Sequence, residues 1–186
     1  MMPRVGAVLL VVGLAACTPG GERDVDRSPV GAKATAGAVS ITYPPESVAL
    51  EVGPAALAAA WDERFTDELG AAPALATTSR IEAGAVTDPI SLEAVVSSGS
   101  VMVAQLALVD GVGDDDQARS ASAVRRFLEL VLMDNAADVS AAFIGLGFGE
   151  EGSLFALREA ETEVRSVTFY RASNEDTILI GAVGSP

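Results

Sequence analysis

Nine consecutive residues, Val101 to Val109, contain a single polar side chain, Gln105. A strand with one wet face alternates apolar and polar residues, so a run this apolar fits a strand covered on both faces. It predicts a central strand inside a layered fold, with the rest of the chain supplying the two covers.

Two helices are predicted as the main cover. Gly53-Pro54 sets a start with proline at the first helical position, Gly70 supplies a left-handed stop, and Pro73 blocks continuation. Between them Leu57, Trp61, Phe65 and Leu69 recur every fourth residue, while Asp62, Glu63, Asp67 and Glu68 take other faces. The second helix runs from about Asp115 to Asp134, with Ala121, Val124, Leu128, Val131 and Leu132 inward and Arg125, Arg126 and Glu129 outward; Asn135 is its expected stop. A shorter helix follows over Ala136 to Leu146, closed by Gly147.

Strands are expected at Ala38 to Tyr43, ended by Pro44-Pro45, and at Leu75 to Ile81. A closing hairpin is expected from Val164 to Arg171 and Thr177 to Val183 around a turn at Ser173 to Asp176. Residues 89–98 alternate like a strand, yet Asp88-Pro89 and Gly99 also suit a short helix, and Leu154 to Leu157 fits either. Together these make an α+β protein, a mostly antiparallel sheet packed with two main amphipathic helices in a two- or three-layer sandwich.

The N-terminus is of another kind. Arg4 leads into an apolar run from Val5 to Ala16, and small residues precede Cys17. A basic start, a short apolar core and small residues before a cut describe a signal peptide, and the run falls short of the roughly 20 residues a spanning helix needs. Leu14-Ala15-Ala16-Cys17 resembles the lipobox of bacterial lipoprotein precursors. The resemblance covers the signal alone. It implies that the Cys17 thiol receives a diacylglyceryl group and becomes the first mature residue, so that acyl chains hold the protein to the membrane. The start is Met1 or Met2. Thr18 to Gly37 holds Pro19, Gly20, Gly21, Pro29, Gly31 and Gly37 with alternating charges, and it reads as a tether with a span of about 25 Å. The expected organisation is a signal peptide at 1–16, a lipidated flexible linker at 17–37 and one globular α+β domain at 38–186.

Charge and composition then exclude chemistry. Cleavage before Cys17 removes Arg4 alone, leaving 26 acidic against 11 basic side chains and a net charge near −15. That field repels phosphate backbones and anionic headgroups, which argues against nucleic-acid binding. Histidine is absent, which removes Ser-His-Asp and Cys-His nucleophilic systems and imidazole zinc sites. Cys17 is the sole cysteine, so the domain folds without disulfides, and Lys33, the sole lysine, falls in the tether, away from any Schiff-base site.

Three motifs remain. Gly147-Phe148-Gly149-Glu150-Glu151-Gly152 satisfies GxGxxG, but two glutamates inside the turn would repel a pyrophosphate, so it reads as a helix stop followed by a turn. Asp110, Asp114, Asp115 and Asp116 suggest a hard cation, yet an EF-hand register from Asp110 puts Val112 at position 3 and Ala121 where the closing glutamate belongs. They read instead as the cap and first turn of the second helix. Paired carboxylates are the catalytic route that composition leaves open, with a spatial requirement of about 5 to 10 Å. No catalytic, cofactor or metal residue is assigned; Cys17 is the one site residue. The expectation is a non-catalytic, membrane-anchored envelope lipoprotein whose domain binds or assembles with a protein partner. The alternative is a carrier for a hydrophobic small molecule or lipid, suggested by the chain's small apolar residues.

Overall fold

The computed structural model describes residues 33–36, 38–65, 76–78, 90–109, 114–149, 156 and 158–186. Strands β1 (Lys33–Ala36) and β2 (Val39–Thr42) form an antiparallel hairpin. Helix α1 (Pro54–Phe65) and the short β3 (Ala76–Thr78) follow, then β4 (Ile90–Ser97), β5 (Ser100–Val109), α2 (Asp114–Val131) and α3 (Ala136–Gly145). The chain ends in β6 (Arg158–Val164), β7 (Val167–Ser173) and β8 (Thr177–Gly184). The main sheet has the order β3-β4-β5-β8-β7-β6, antiparallel except where β3 runs parallel to β4. The α+β class is as expected, and the 89–98 stretch resolves as strand β4. It is joined to β5 by a two-residue turn at Ser98-Gly99, both with positive φ.

Strand β5 is central and covered on both sides, as its composition demands. Its Ala104, Leu106 and Leu108 belong to a core shared with Leu57 and Trp61 of α1, Val124, Phe127 and Leu128 of α2, and Phe143 of α3. Val103 and Ala107 face the other way, into a second core closed by Ala36, Val39, Ile41 and Tyr43. The molecule is thus three-layered: helices, sheet, and the β1–β2 hairpin. A bulge opposite Val95 and Val96 makes Met102 the extra residue, which lets Val101 turn to the helices while Val103 faces the hairpin. All of β8 is buried for the same reason as β5, with Ile178, Ile180 and Ala182 under the helices and Leu179 and Val183 under the hairpin. Between hairpin and α1 the chain rounds the end of the sheet, where Val48 bridges Gly184 and the Leu50 N–H donates to the Val101 carbonyl.

Four expectations change. The hairpin layer starts at Lys33, inside the stretch read as tether; β1 is held by its ladder to β2 and by buried Ala36, so Lys33 belongs to a strand. Val164 to Arg171 is not one strand, because Arg165 takes φ +56° and the chain reverses at Arg165-Ser166 between β6 and β7. Strand β6 was not anticipated at all. Asn135 does not stop α2. That helix ends through Met133 and Asp134, both at positive φ, and the Asn135 side chain instead accepts from the Asp138 N–H as the N-cap of α3. Residues 66–75, including Leu69, Gly70 and Pro73, lie outside the described residues, as does the Phe65 side chain.

Candidate functional site

Cys17 lies outside the described residues, as do Asp110 and residues 150–155. Asp114, Asp115 and Asp116 form the start of α2, with their side chains undescribed. Among the described residues no group of three metal-ligating side chains occurs, and no helix is long and apolar enough to cross a membrane.

Gly147 opens the GxGxxG motif by closing α3. The Phe148 N–H donates to the Phe143 carbonyl, the Gly147 N–H donates to Ile144, and the Phe143 and Phe148 rings meet at 5.2 Å. Gly147 at φ +75° supplies the left-handed residue this Schellman ending needs. Two arginines finish the cap. Arg158 Nη1 donates to the Gly147 carbonyl at 2.8 Å, and Arg171, only 3% exposed, donates to the Leu146 carbonyl at 3.0 Å while its guanidinium lies 4.0 Å from the centre of the Phe148 ring. The described half of the motif, Gly147 to Gly149, therefore sits at a helix C-terminus already matched with cations, the wrong pole for a pyrophosphate.

The polar side chains that the fold does bring together lie on the hairpin face. Glu161, Tyr170, Gly181, Gln105 and Glu93 stand opposite one another on five adjacent strands, from β6 through β7, β8 and β5 to β4. Tyr43 enters this row from the hairpin layer, over Gly181, where a Cβ would overlap its hydroxyl and the adjoining ring edge. Its hydroxyl donates to Gln105 Oε1 at 3.3 Å, and Gln105 Nε2 donates to Glu93 Oε2. The Tyr43 and Tyr170 rings meet edge to face, with centroids 5.9 Å apart. Burial, then the charges of Glu93 and Tyr170, hold the Tyr43 phenol neutral well above the usual tyrosine range. Tyr170 is also shifted upward, by burial first and then by Glu161 and Glu46.

A phenol held this way donates a hydrogen bond and makes a poor base. The row's two carboxylates, Glu93 and Glu161, are four strand spacings apart, about 19 Å, well beyond the 5 to 10 Å that paired-carboxylate hydrolysis uses. The row is therefore a locked polar seam with an open acidic end at β6. None of its residues was singled out from sequence except Gln105, the one polar break in the apolar run. Gly181 inside an apolar strand was the second available sign, since such a glycine marks close approach of another group. Comparison with protein-family models, curated proteins and solved structures finds no match to this chain.

Proposed function

We propose that this protein is a membrane-anchored lipoprotein of the cell envelope, in which residues 1–16 direct export, Cys17 carries the acyl chains, and the α+β domain acts as a non-catalytic protein-interaction or assembly module. The observation that carries the reading is Leu14-Ala15-Ala16-Cys17 behind a basic, apolar leader, with the chain's one cysteine at the lipobox position. Two acyl chains hold far more firmly than one, at about 0.8 kcal/mol per buried methylene, so the domain needs no electrostatic grip on lipid, and its net charge opposes one. The interaction role is supported by the chain's lack of histidine and by the placement of its carboxylates: Glu93 and Glu161 stand at opposite ends of the polar seam, and Glu159, Glu161 and Glu163 are exposed along an edge strand. Metabolic labelling with a palmitate analogue tests the anchor. Wild type takes up label and partitions with membranes, and Cys17→Ala takes up none; label persisting in Cys17→Ala would sink the lipoprotein reading.

A further inference from the structure

One edge of the main sheet is β6, which among the described residues pairs with β7 alone. Val164 and Val167 close the two-residue turn, and in such a hairpin the closing pair exchanges ladder hydrogen bonds. Alternation then assigns Thr162, Ala160 and Arg158 to the ladder as well. The backbone N–H and C=O groups of Glu159, Glu161 and Glu163 consequently point away from β7, toward the open side. The same three residues carry exposed carboxylates on the hairpin face, while Ala160 and Val164 are half-buried against the helix-side core, and Thr162 lies under Gly145 of α3. An incoming strand thus meets carboxylates on one face and, on the other, Ala160, Thr162 and Val164, with the Arg158 guanidinium at the far end turned to the Gly147 carbonyl.

We propose that β6 is a docking edge for an extended segment of another protein that alternates lysine or arginine with apolar residues, adding a seventh strand to the sheet. This rests on the interaction-module reading and names the surface and the partner's chemistry. Main-chain hydrogen bonds supply the grip in such strand addition, and alternate side chains supply selectivity. A second copy of this chain does not fit. The side-chain period is two, so every register that keeps the apolar face inward sets glutamate beside glutamate, and like charges opposed across strands are destabilising. A strand with cations at alternate positions turns each of those clashes into a pair. Tyr170, opposite Glu161 on β7, adds a half-buried ring against which a lysine stem can lie.

Hydrogen exchange on the full-length chain in non-ionic micelles tests this, using as probe a seven-residue peptide that alternates lysine and valine to match the seven residues of β6. At low salt, exchange over residues 158–164 is expected to slow about tenfold with this peptide. A glutamate–valine peptide, and one of the same lysine and valine content with its lysines grouped, should leave it unchanged. Glu161→Pro removes an outward N–H that the ladder does not use, a place where an edge strand tolerates proline, and should abolish the protection; Glu161→Lys should do the same by charge. Equal protection by the grouped peptide, protection surviving Glu161→Pro, or none with any peptide would overturn the proposal, the last leaving the glutamates as a guard against aggregation. Crosslinking of the anchored protein in membranes keeps the two readings apart. Crosslinks on a different face would remove the β6 edge and leave the interaction module standing, whereas their absence counts against the module.

Discussion

At the scale of single residues, Tyr43 and Gly181 form a contact that leaves no room for change. A buried phenol needs a partner for its hydroxyl, Gln105 provides one, and Gln105 in turn is bonded to Glu93. The ring fits because Gly181 has no side chain, and an added Cβ would overlap the ring and its hydroxyl. Gly181→Ala should therefore force Tyr43 out of its seat and destabilise the protein by about 1 to 3 kcal/mol, the usual range for overpacking a core. The cause can be separated from a general effect of alanine in β8 by a double-mutant cycle with Tyr43→Leu, whose shorter side chain leaves room. Chemical denaturation of the four proteins should show the alanine penalty falling by more than half in the Tyr43→Leu background. Additive penalties would mean that the two sites are independent.

At the scale of elements, helix ends decide how α2 hands over to α3. Asn135 accepts from the Asp138 N–H, and Asp138 pairs with Arg165 at the turn between β6 and β7, so one cap fixes both the start of α3 and its seat over the hairpin. Asn135→Ala is expected to cost about 1 kcal/mol and Asn135→Gly only a few tenths, the order set by N-cap preference. A left-handed helix stop would show a different order, with glycine at or above the wild-type stability, so thermal denaturation of the two variants checks the assignment. The same elements show what the chain discloses before folding. The apolar run of β5, Gly53-Pro54 ahead of α1, and the inward stripe of α2 are local patterns, and each predicted its element. Strand β6 escaped because Glu159, Glu161 and Glu163 give it the look of solvated chain; an edge strand need bury only one side, and here it half-buries it. The turn at Arg165-Ser166 escaped because Arg165, the residue that takes the positive φ, is not a usual turn former, and Ser166 alone is a weak signal. The polar seam was beyond reach for another reason: register across five strands brings together residues far apart in the chain.

At the scale of the whole molecule, the β1–β2 hairpin is what makes the fold three layers instead of two. Without it, Val95, Val103, Ala107, Leu179 and Val183 would present an apolar sheet face to water. One of the two strands of that cover lies in residues whose composition resembles a linker, so the choice of domain start has an energetic consequence. A soluble fragment beginning at residue 37 deletes β1, with its four paired positions and buried Ala36, while one beginning at residue 33 keeps them. The ladder bonds contribute about 1 kcal/mol each, and burying Ala36 adds somewhat less, against an ordering cost of 1 to 2 kcal/mol per residue. These nearly cancel, and the shielding of the apolar face beneath the hairpin tips the balance toward order. Fragment 33–186 should therefore be more stable than 37–186 by about 1 kcal/mol, a difference of roughly 2 to 4 °C in melting temperature for a domain of this size. Calorimetry on the two fragments measures it directly. Equal melting temperatures would show that β1 contributes nothing to stability and that the domain's boundary lies at Gly37 after all.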